Sequence, residues 1–209
     1  MNNSKIVAEK LLQVNAVKLN LTNPFIWASG WKSPIYCDNR KILSFPFVRD
    51  FIKSELSNLV FEKFSSVEMI AGVATAGIAW GAMVADQLKL PFVYVRPKPK
   101  EHGLGNQIEG FLEDPKKVVV VEDLVSTGKS SVQVVETLRV AGVEVVGMVS
   151  IFTYGFPTAD EMFQKLAIPY YPLTDYASLI ELAKEKGKFD SSQLETLLKW
   201  KDSPEKWGR

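Results

Sequence analysis

Hydrophobic residues recur along the middle of the chain in two alternating patterns, one typical of buried strands and one typical of amphipathic helices. The alternation predicts strands at 67–73, 91–96, 117–122 and 143–152, with helices at 77–88 and 129–141. Such βαβ alternation favours an α/β fold, with a mostly parallel twisted sheet flanked by helices. Ligands of such sheets bind at the carboxyl ends of the strands.

The flanking segments have the same kinds of pattern. Helical spacing predicts a helix over 6–17 and a strongly amphipathic helix over 46–64, and a short hairpin is expected between them at 25–37. After the core we expect a helix at 157–167, a short edge strand at 170–171 and closing helices at 176–186 and 191–200. The 209 residues fit a single domain.

The amino-acid composition argues against several classes of protein, beginning with those that bind through a large net charge. The 25 Lys and Arg residues balance 24 Asp and Glu residues, so a net charge of +1 offers no global field for nucleic acid or a membrane. Any bound anion must therefore be held by a local site. The one cysteine, Cys37, fits a reducing compartment, and no apolar run is long enough for a signal peptide or a membrane span. We expect a cytoplasmic protein.

The interval 97–117 interrupts the pattern with prolines, glycines and charges but little hydrophobic periodicity. A structureless loop of this length in a compact domain is usually functional or disordered. We predict that it is a lid.

The most informative motif follows the valines at 118–121. Glu122 and Asp123 come at the predicted end of the strand, and the small residues of the segment 124–128 then lead into the helix predicted from 129. The free N–H groups at a helix N-terminus bind phosphate, whereas adjacent carboxylates repel it. The carboxylates are therefore expected to accept hydrogen bonds from hydroxyls or to lie near a metal. A sugar phosphate matches both halves of the motif.

Two other phosphate motifs fail, and one plain alternative remains. A Walker A loop needs glycine where this chain has Asp123, and a dinucleotide fingerprint starting at Gly103 would need its third glycine where Ile108 stands. The plain alternative is a helix start capped by the side chain of Ser126 or Thr127.

Four segments together resemble one family. Glu-Asp-Leu-Val-Ser-Thr-Gly-Lys-Ser-Ser at 122–131 resembles the 5-phosphoribosyl 1-diphosphate (PRPP) motif of type I phosphoribosyltransferases. Arg-Pro-Lys-Pro-Lys-Glu-His-Gly at 96–103 is similar to the catalytic loop of orotate phosphoribosyltransferases, and residues 25–40 are similar to their N-terminal segment. Gly-Val-Ala-Thr-Ala-Gly at 72–77 is similar to their diphosphate-binding loop.

The resemblance implies that orotate displaces diphosphate from PRPP, with Mg²⁺ held mainly by PRPP and by no protein ligand. The implied PRPP-binding residues are Arg96, Lys100, His102, Glu122, Asp123, Leu124, Val125, Ser126, Thr127, Gly128, Lys129 and Ser130. Among these, Thr127 to Ser130 would cradle the 5′-phosphate, the acidic pair would bind the ribose hydroxyls, and Ser126 would lie beside orotate. Lys100 and Asp123 are the implied catalytic residues.

The resemblance also implies an assembly and a domain plan. Residues 96–110 would act on the neighbouring site of a homodimer, where Arg96, Lys100 and His102 contact diphosphate. Within one domain over 1–209, a small N-terminal hood over about 1–45 would contribute to the base site, and the core sheet with the PRPP site would span about 65–155. No nucleic-acid or membrane partner is expected.

The chain departs from some members of the family at four places. Ala28, Ala76 and Pro97 stand where those members have lysine, and residues 152–154 lack an arginine that contacts orotate.

Several alternatives stay open at this stage. Gly72 and Gly77 could serve only close helix–strand packing, and Tyr36, Asp38 and Arg40 could form ordinary packing and an ion pair. At the level of function, the alternative is a non-catalytic regulator that binds PRPP on the same fold.

Overall fold

The central element of the fold is a six-stranded sheet flanked by helices. The computed structural model describes residues 3–27, 30–97, 107–112 and 116–207. The helices are α1 (Asn3–Gln13), α2 (Pro46–Lys63), α3 (Ala76–Leu88), α4 (Lys129–Val140), α5 (Pro157–Lys165), α6 (Tyr176–Glu185) and α7 (Ser191–Asp202). The strands are β1 (Val17–Leu19), β2 (Phe25–Ile26), β3 (Lys32–Ser33), β4 (Ile35–Cys37), β5 (Met69–Val73), β6 (Phe92–Val95), β7 (Ile108–Glu109), β8 (Lys117–Val125), β9 (Glu144–Thr153) and β10 (Tyr170–Asp175).

The sheet has the strand order β10-β9-β8-β5-β6-β7. The pairs β5–β6, β5–β8 and β8–β9 are parallel, and the short β7 is antiparallel to β6. The prediction of a mostly parallel sheet flanked by helices is therefore confirmed.

The central strands are apolar because they are covered on both faces. All five residues of β5 are buried, and the four consecutive valines of β8 at 118–121 have no exposed surface. Valine suits this position because its branched side chain packs well on a pleated surface. The candidate functional residues lie on these strands and in the segments that follow them.

Glycines allow α3 to lie unusually close to the sheet. A Cβ atom on Gly77 would lie 2.6 Å from the carbonyl oxygen of Val121, and one on Gly72 would lie 2.8 Å from the carbonyl oxygen of Gly77. A Cβ on Gly81 would meet the Phe92 ring at 2.7 Å. Close helix–strand packing, the structural alternative for Gly72 and Gly77, is therefore what the structure shows for these residues.

The chain divides into two compact units, residues 47–173 and a second unit made of 1–46 together with 174–209. The second unit contains the segment of the predicted hood and adds the C-terminal helices to it. Inside this unit the Trp200 indole N–H donates to the carbonyl of Lys32 at 3.1 Å, and the Tyr176 hydroxyl donates to the carbonyl of Leu197 at 3.0 Å.

Four elements differ from their predicted bounds. The helix predicted over 6–17 ends at Gln13, because Asn15 takes a left-handed φ of 51°, and Val17 instead begins β1, which pairs with β4. Strand β8 continues to Val125 because Leu124 and Val125 pair with Phe152 and Thr153 of β9, so the acidic pair lies within a strand and not at its end. The interval 97–117 contains β7, which pairs with β6 through two residues only, too few for a periodicity signal. Strand β10 extends four residues beyond the predicted 170–171.

Candidate active site

The turn between β8 and α4 ends in a helix N-terminus that no side chain caps. Gly128 is the N-cap residue, with a left-handed φ of 80° that favours glycine, and no side chain hydrogen-bonds as a cap. The alternative in which Ser126 or Thr127 caps the helix is therefore wrong. The N–H groups in the first turn of a helix have no intrahelical acceptors, so this end of α4 offers donors to an anion.

The other residues around the turn differ in their exposure to solvent. Lys129 and Ser130 are exposed, whereas Ser126 and Thr127 are partly buried. The hydroxyl of Ser131, in the first turn of α4, is buried without a hydrogen-bond partner among the described residues. This residue was not singled out from the sequence, because a serine in a helix ordinarily hydrogen-bonds its own backbone.

Leu124 and Val125 belong to the strand and not to the turn. Leu124 pairs with Phe152 in the sheet. The carbonyl of Val125 accepts hydrogen bonds from the Tyr154 N–H at 3.0 Å and from the Thr153 hydroxyl at 3.3 Å. These contacts join the ends of β8 and β9 directly before the turn.

The two residues of the acidic pair lie in different environments. Glu122 is only 5% exposed, whereas Asp123 is partly buried. Oε1 of the Glu122 side chain accepts a hydrogen bond from the backbone N–H of the next residue, Asp123, at 2.9 Å. The structure therefore does not present the two carboxylates to solvent as an equivalent pair.

Burial raises the pKa of the Glu122 carboxyl well above its usual range. The negative charge of Asp123 and a hydrogen bond between the two side chains raise this pKa further, and the bond from the Asp123 N–H opposes them.

A second polar contact joins β9 to β10. The hydroxyls of Ser150, which pairs with Glu122 in the sheet, and Tyr170 are 2.6 Å apart. Burial raises the pKa of the Tyr170 hydroxyl above its usual range. Neither Ser150 nor Tyr170 was singled out from the sequence, because only the pairing of β9 with its neighbours brings them to this place.

The predicted diphosphate loop at 72–77 connects β5 to α3. The peptide bond between Ala74 and Thr75 is cis, and Thr75 precedes α3 without a side-chain cap. Ala76 is the first residue of α3, so no lysine side chain extends from this position. Gly77 brings the helix against β8 beside Glu122, whose Oε1 would lie 3.3 Å from a Cβ at this position.

Arg96 lies directly after β6 and forms an ion pair across the β6–β7 hairpin. Its Nη1 is 3.5 Å from Oε1 of Glu109, and its N–H donates to the carbonyl of Gln107 at 2.8 Å. One residue later, the carbonyl of Pro97 accepts a hydrogen bond from Nε2 of Gln133 in α4 at 3.0 Å. The sequence alone does not indicate Glu109 and Gln133, because their contacts are with distant segments of the chain.

The remaining loop residues predicted to act on diphosphate lie outside the described residues. They are Lys100 and His102. Their roles stay predictions.

Residues of the N-terminal segment form an exposed polar cluster in their own unit. Nε of Arg40 is 2.7 Å from Oδ1 of Asp38, and its Nη2 is 3.5 Å from the Tyr36 hydroxyl. The Tyr36 ring lies 5.5 Å from the ring of Phe25. These contacts agree with ordinary packing and an ion pair. Ala28 and Ser29 lie outside the described residues.

The residues at the end of β9 that lack the family's arginine pack inward. Phe152 has no exposed surface, and Tyr154 is 2% exposed. The Tyr154 ring stacks on Phe156 with a centroid distance of 5.6 Å and an interplanar angle of 6°. These aromatic side chains belong to the core.

Within residues 3–27, 30–97, 107–112 and 116–207, no group of three or more His, Cys, Asp or Glu residues could hold a metal ion. No helix among the described residues is long and apolar enough to cross a membrane.

Comparison with known proteins agrees with this geometry. Residues 48–165 match the phosphoribosyl transferase domain family. The chain is 54% identical to the orotate phosphoribosyltransferase of Porphyromonas gingivalis over 98% of this chain and 97% of that protein. It is 55% identical to that of Bacillus subtilis over 96% of this chain and 93% of that protein.

A solved structure shares the fold. The crystal structure of orotate phosphoribosyltransferase from Aeropyrum pernix matches with a TM-score of 0.75 and 28% identity, covering 88% of this chain and 99% of that one. The close sequence relatives share this family name over nearly their whole length. The chain therefore belongs to the orotate phosphoribosyltransferases, within the phosphoribosyl transferase domain family.

Proposed function

We propose that the chain transfers the 5-phosphoribosyl group from PRPP to orotate, giving orotidine 5′-monophosphate and diphosphate in pyrimidine biosynthesis. The observation that carries the proposal is the helix N-terminus of α4, which lacks a side-chain cap and follows a strand that bears the partly buried Asp123. An anion-binding end and a nearby carboxylate are what a phosphorylated sugar with free hydroxyls requires.

The reaction forms a bond from N1 of orotate to C1′ of the ribose and breaks the bond from C1′ to diphosphate. The N1–H bond of orotate is broken as well, and its proton passes to solvent or to the departing diphosphate. Positive charge develops on the ribose and negative charge on the departing diphosphate. Preorganised groups aimed at these charges are usually the largest contribution to such catalysis. In the proposal, residues Thr127 to Ser130 bind the 5′-phosphate, Asp123 accepts from a ribose hydroxyl, and Ser126 lies beside orotate.

The cations of the loop act on the leaving group in this proposal. Arg96, Lys100 and His102 stabilise the charge on diphosphate, and the 96–110 loop does so at the neighbouring site of a homodimer. The partly exposed guanidinium of Arg96 supports this role, because it lies beside the carboxyl end of β6, where ligands of parallel sheets bind.

Magnesium enters with PRPP in this proposal. The phosphate and hydroxyl oxygens of PRPP are hard ligands of the kind that Mg²⁺ prefers, and the ion often binds through substrate phosphates. When bound, it neutralises part of the diphosphate charge. The protein's own contribution is to hold the ribose and the phosphate in place.

We also propose a cytoplasmic location. The chain has one cysteine, and Cys37 is buried, with its thiol donating to Oδ1 of Asn39 at 3.2 Å. A lone structural thiol suits a reducing compartment.

The test is the loss of orotate absorbance with purified protein, PRPP and Mg²⁺. We expect turnover that stops when PRPP or Mg²⁺ is left out. Turnover of hypoxanthine, adenine or uracil instead of orotate would overturn the choice of base but keep the chemistry. Calorimetric binding of PRPP without turnover of any base would support the regulator and overturn the enzyme.

A further inference from the structure

We infer that Gln133 of α4 is a positioning residue for Arg96, because it fixes the path of the chain directly after β6. The inference rests on the proposed function, in which the Arg96 guanidinium stabilises the charge on diphosphate. Gln133 contacts no substrate in this role. It acts through the carbonyl group of Pro97, to which its Nε2 donates a hydrogen bond at 3.0 Å.

The first argument concerns the backbone of Arg96, which is hydrogen-bonded to the residue before β7. The Arg96 N–H donates to the Gln107 carbonyl at 2.8 Å, and Nε2 of Gln107 donates to the Arg96 carbonyl at 3.3 Å. The ladder between β6 and β7 adds two residue pairs at the edge of the sheet. So short a ladder is a weak anchor. A further contact from another element therefore matters for the position of Arg96.

The second argument is the stiffness of the segment that joins Arg96 to Pro97. The proline ring fixes φ of Pro97, and a residue that precedes proline is confined to extended conformations. Between the Arg96 carbonyl and the Pro97 carbonyl, the one soft backbone torsion is therefore ψ of Pro97. The hydrogen bond from Gln133 restrains that torsion. Gln107 and Gln133 thus hold the Arg96–Pro97 segment from two different elements of the fold.

The third argument is that α4 gives Gln133 a firm support. Its neighbours in the helix, Val134 and Val135, are 3% and 0% exposed and belong to the hydrophobic core, so the helix backbone is fixed against the sheet. Gln133 and Pro97 themselves are exposed. A hydrogen bond that water can replace adds little to stability. The contact therefore determines the path of the chain more than the stability of the fold.

The variant that tests the contact is Gln133→Leu, which removes the donor and keeps a side chain of similar length. Its matched control is Thr137→Val, one turn later in α4. The Thr137 hydroxyl donates to the Gln133 carbonyl at 2.8 Å, so each variant removes one hydrogen bond that a side chain of α4 donates to a carbonyl. Only Gln133→Leu releases the Pro97 carbonyl.

The experiment compares the wild-type protein with Gln133→Leu, Thr137→Val, Arg96→Ala and the double variant of Arg96→Ala with Gln133→Leu. It measures kcat, KM for PRPP and KM for orotate, with the melting temperature as a check of folding. We expect Gln133→Leu to lower kcat/KM for PRPP by roughly three- to tenfold, the usual effect of one lost hydrogen bond. Its KM for orotate and its melting temperature should stay near those of the wild-type protein, and Thr137→Val should change none of these values.

The double variant decides whether Gln133 acts through Arg96. Once the guanidinium is absent, its position no longer matters, so kcat/KM for PRPP in the double variant should equal that of Arg96→Ala within about twofold. Losses that multiply in the double variant would overturn the inference, because Gln133 would then act independently of Arg96. A folded Gln133→Leu variant with unchanged kcat/KM, or an equal loss in Thr137→Val, would show that the contact with Pro97 positions nothing.

Failure of the proposed function is a separate outcome, seen when the wild-type protein does not turn over orotate. The same five proteins are then compared with the base that the wild-type protein does use, or by calorimetric affinity for PRPP if it uses none. Coupling between Arg96 and Gln133 in those values would support the positioning role, and independent losses would overturn it. Absence of PRPP binding would overturn the proposed function and the inference together.

Discussion

Nη1 of Arg96 and Oε1 of Glu109 lie 3.5 Å apart across the β6–β7 hairpin, and this ion pair holds the guanidinium at the base of the loop that follows. The two side chains are 37% and 20% exposed, so water screens much of their attraction. The ion pair therefore contributes little to the free energy of unfolding. Its main effect is to fix the position of the Arg96 side chain.

The first prediction compares the two residues of that ion pair. Arg96→Ala and Glu109→Gln remove the same ion pair, and each should change the free energy of unfolding by less than about 1 kcal/mol. Under the proposed function, only Arg96→Ala also removes a cation from the diphosphate, so it should lower kcat/KM for PRPP by roughly tenfold or more. Equal kinetic losses in both variants would show that Arg96 acts through its ion pair alone.

The second prediction concerns the loop in trans. Under the proposed function, Lys100→Ala and Asp123→Asn homodimers should each be nearly inactive, because one lacks the loop cation and the other the ribose carboxylate. Mixed subunits should recover activity, since a heterodimer contains one site with both residues intact. The measurement is orotate turnover after mixing, with subunit exchange verified by mass. Exchange without recovery would place the loop in the site of its own subunit.

The third prediction concerns Gly77. A Cβ there would lie 2.6 Å from a backbone oxygen, which cannot move away as a flexible side chain can. Gly77→Ala should therefore destabilise the fold by about 1–3 kcal/mol, the usual cost of overpacking. The control is Gly187→Ala, where nothing lies within 4 Å and only a φ of 63° opposes alanine, at about 1 kcal/mol. Denaturant unfolding measures both, and a smaller loss for Gly77→Ala than for the control would contradict the close packing.

The fourth prediction follows from the raised pKa of Glu122. The native state binds this proton more tightly than the unfolded chain, so stability from the group is present below the unfolded value near 4.5 and is lost as pH rises towards the native value. Asp123 and Tyr170 are the titratable neighbours that share this environment. Relative to Glu122→Gln, which cannot titrate, the wild-type protein should lose free energy of unfolding as pH increases above about 4.5. Denaturant titrations over pH measure the difference, and a difference that is constant with pH would exclude a buried proton.

Much of the fold could be predicted because its signals are local. The valines at 118–121 and the helical spacing of α2 and α4 each depend on a few consecutive residues, and the parallel sheet follows from their order along the chain. The β6–β7 pairing involves two residues and carries no periodic signal. The extension of β8 through Val125 depends on partners in β9, which local pattern does not reveal.

The site was predictable to the same degree. The turn between β8 and an uncapped helix start could be predicted, because the carboxylates, the small residues and the start of the helix follow one another directly along the chain. The different environments of Glu122 and Asp123 could not be seen, since they depend on Gly77 and Ser150 from other elements. Glu109 and Gln133 were missed for the same reason.

Helix α4 bears two features that have been described separately. Its N-terminal end has no side-chain cap, and one helical turn later Gln133 donates a hydrogen bond to the Pro97 carbonyl. A helix moves as a stiff rod over such a short distance. A shift of α4 on binding an anion at its N-terminal end would therefore also displace the Pro97 carbonyl, which Gln133 binds.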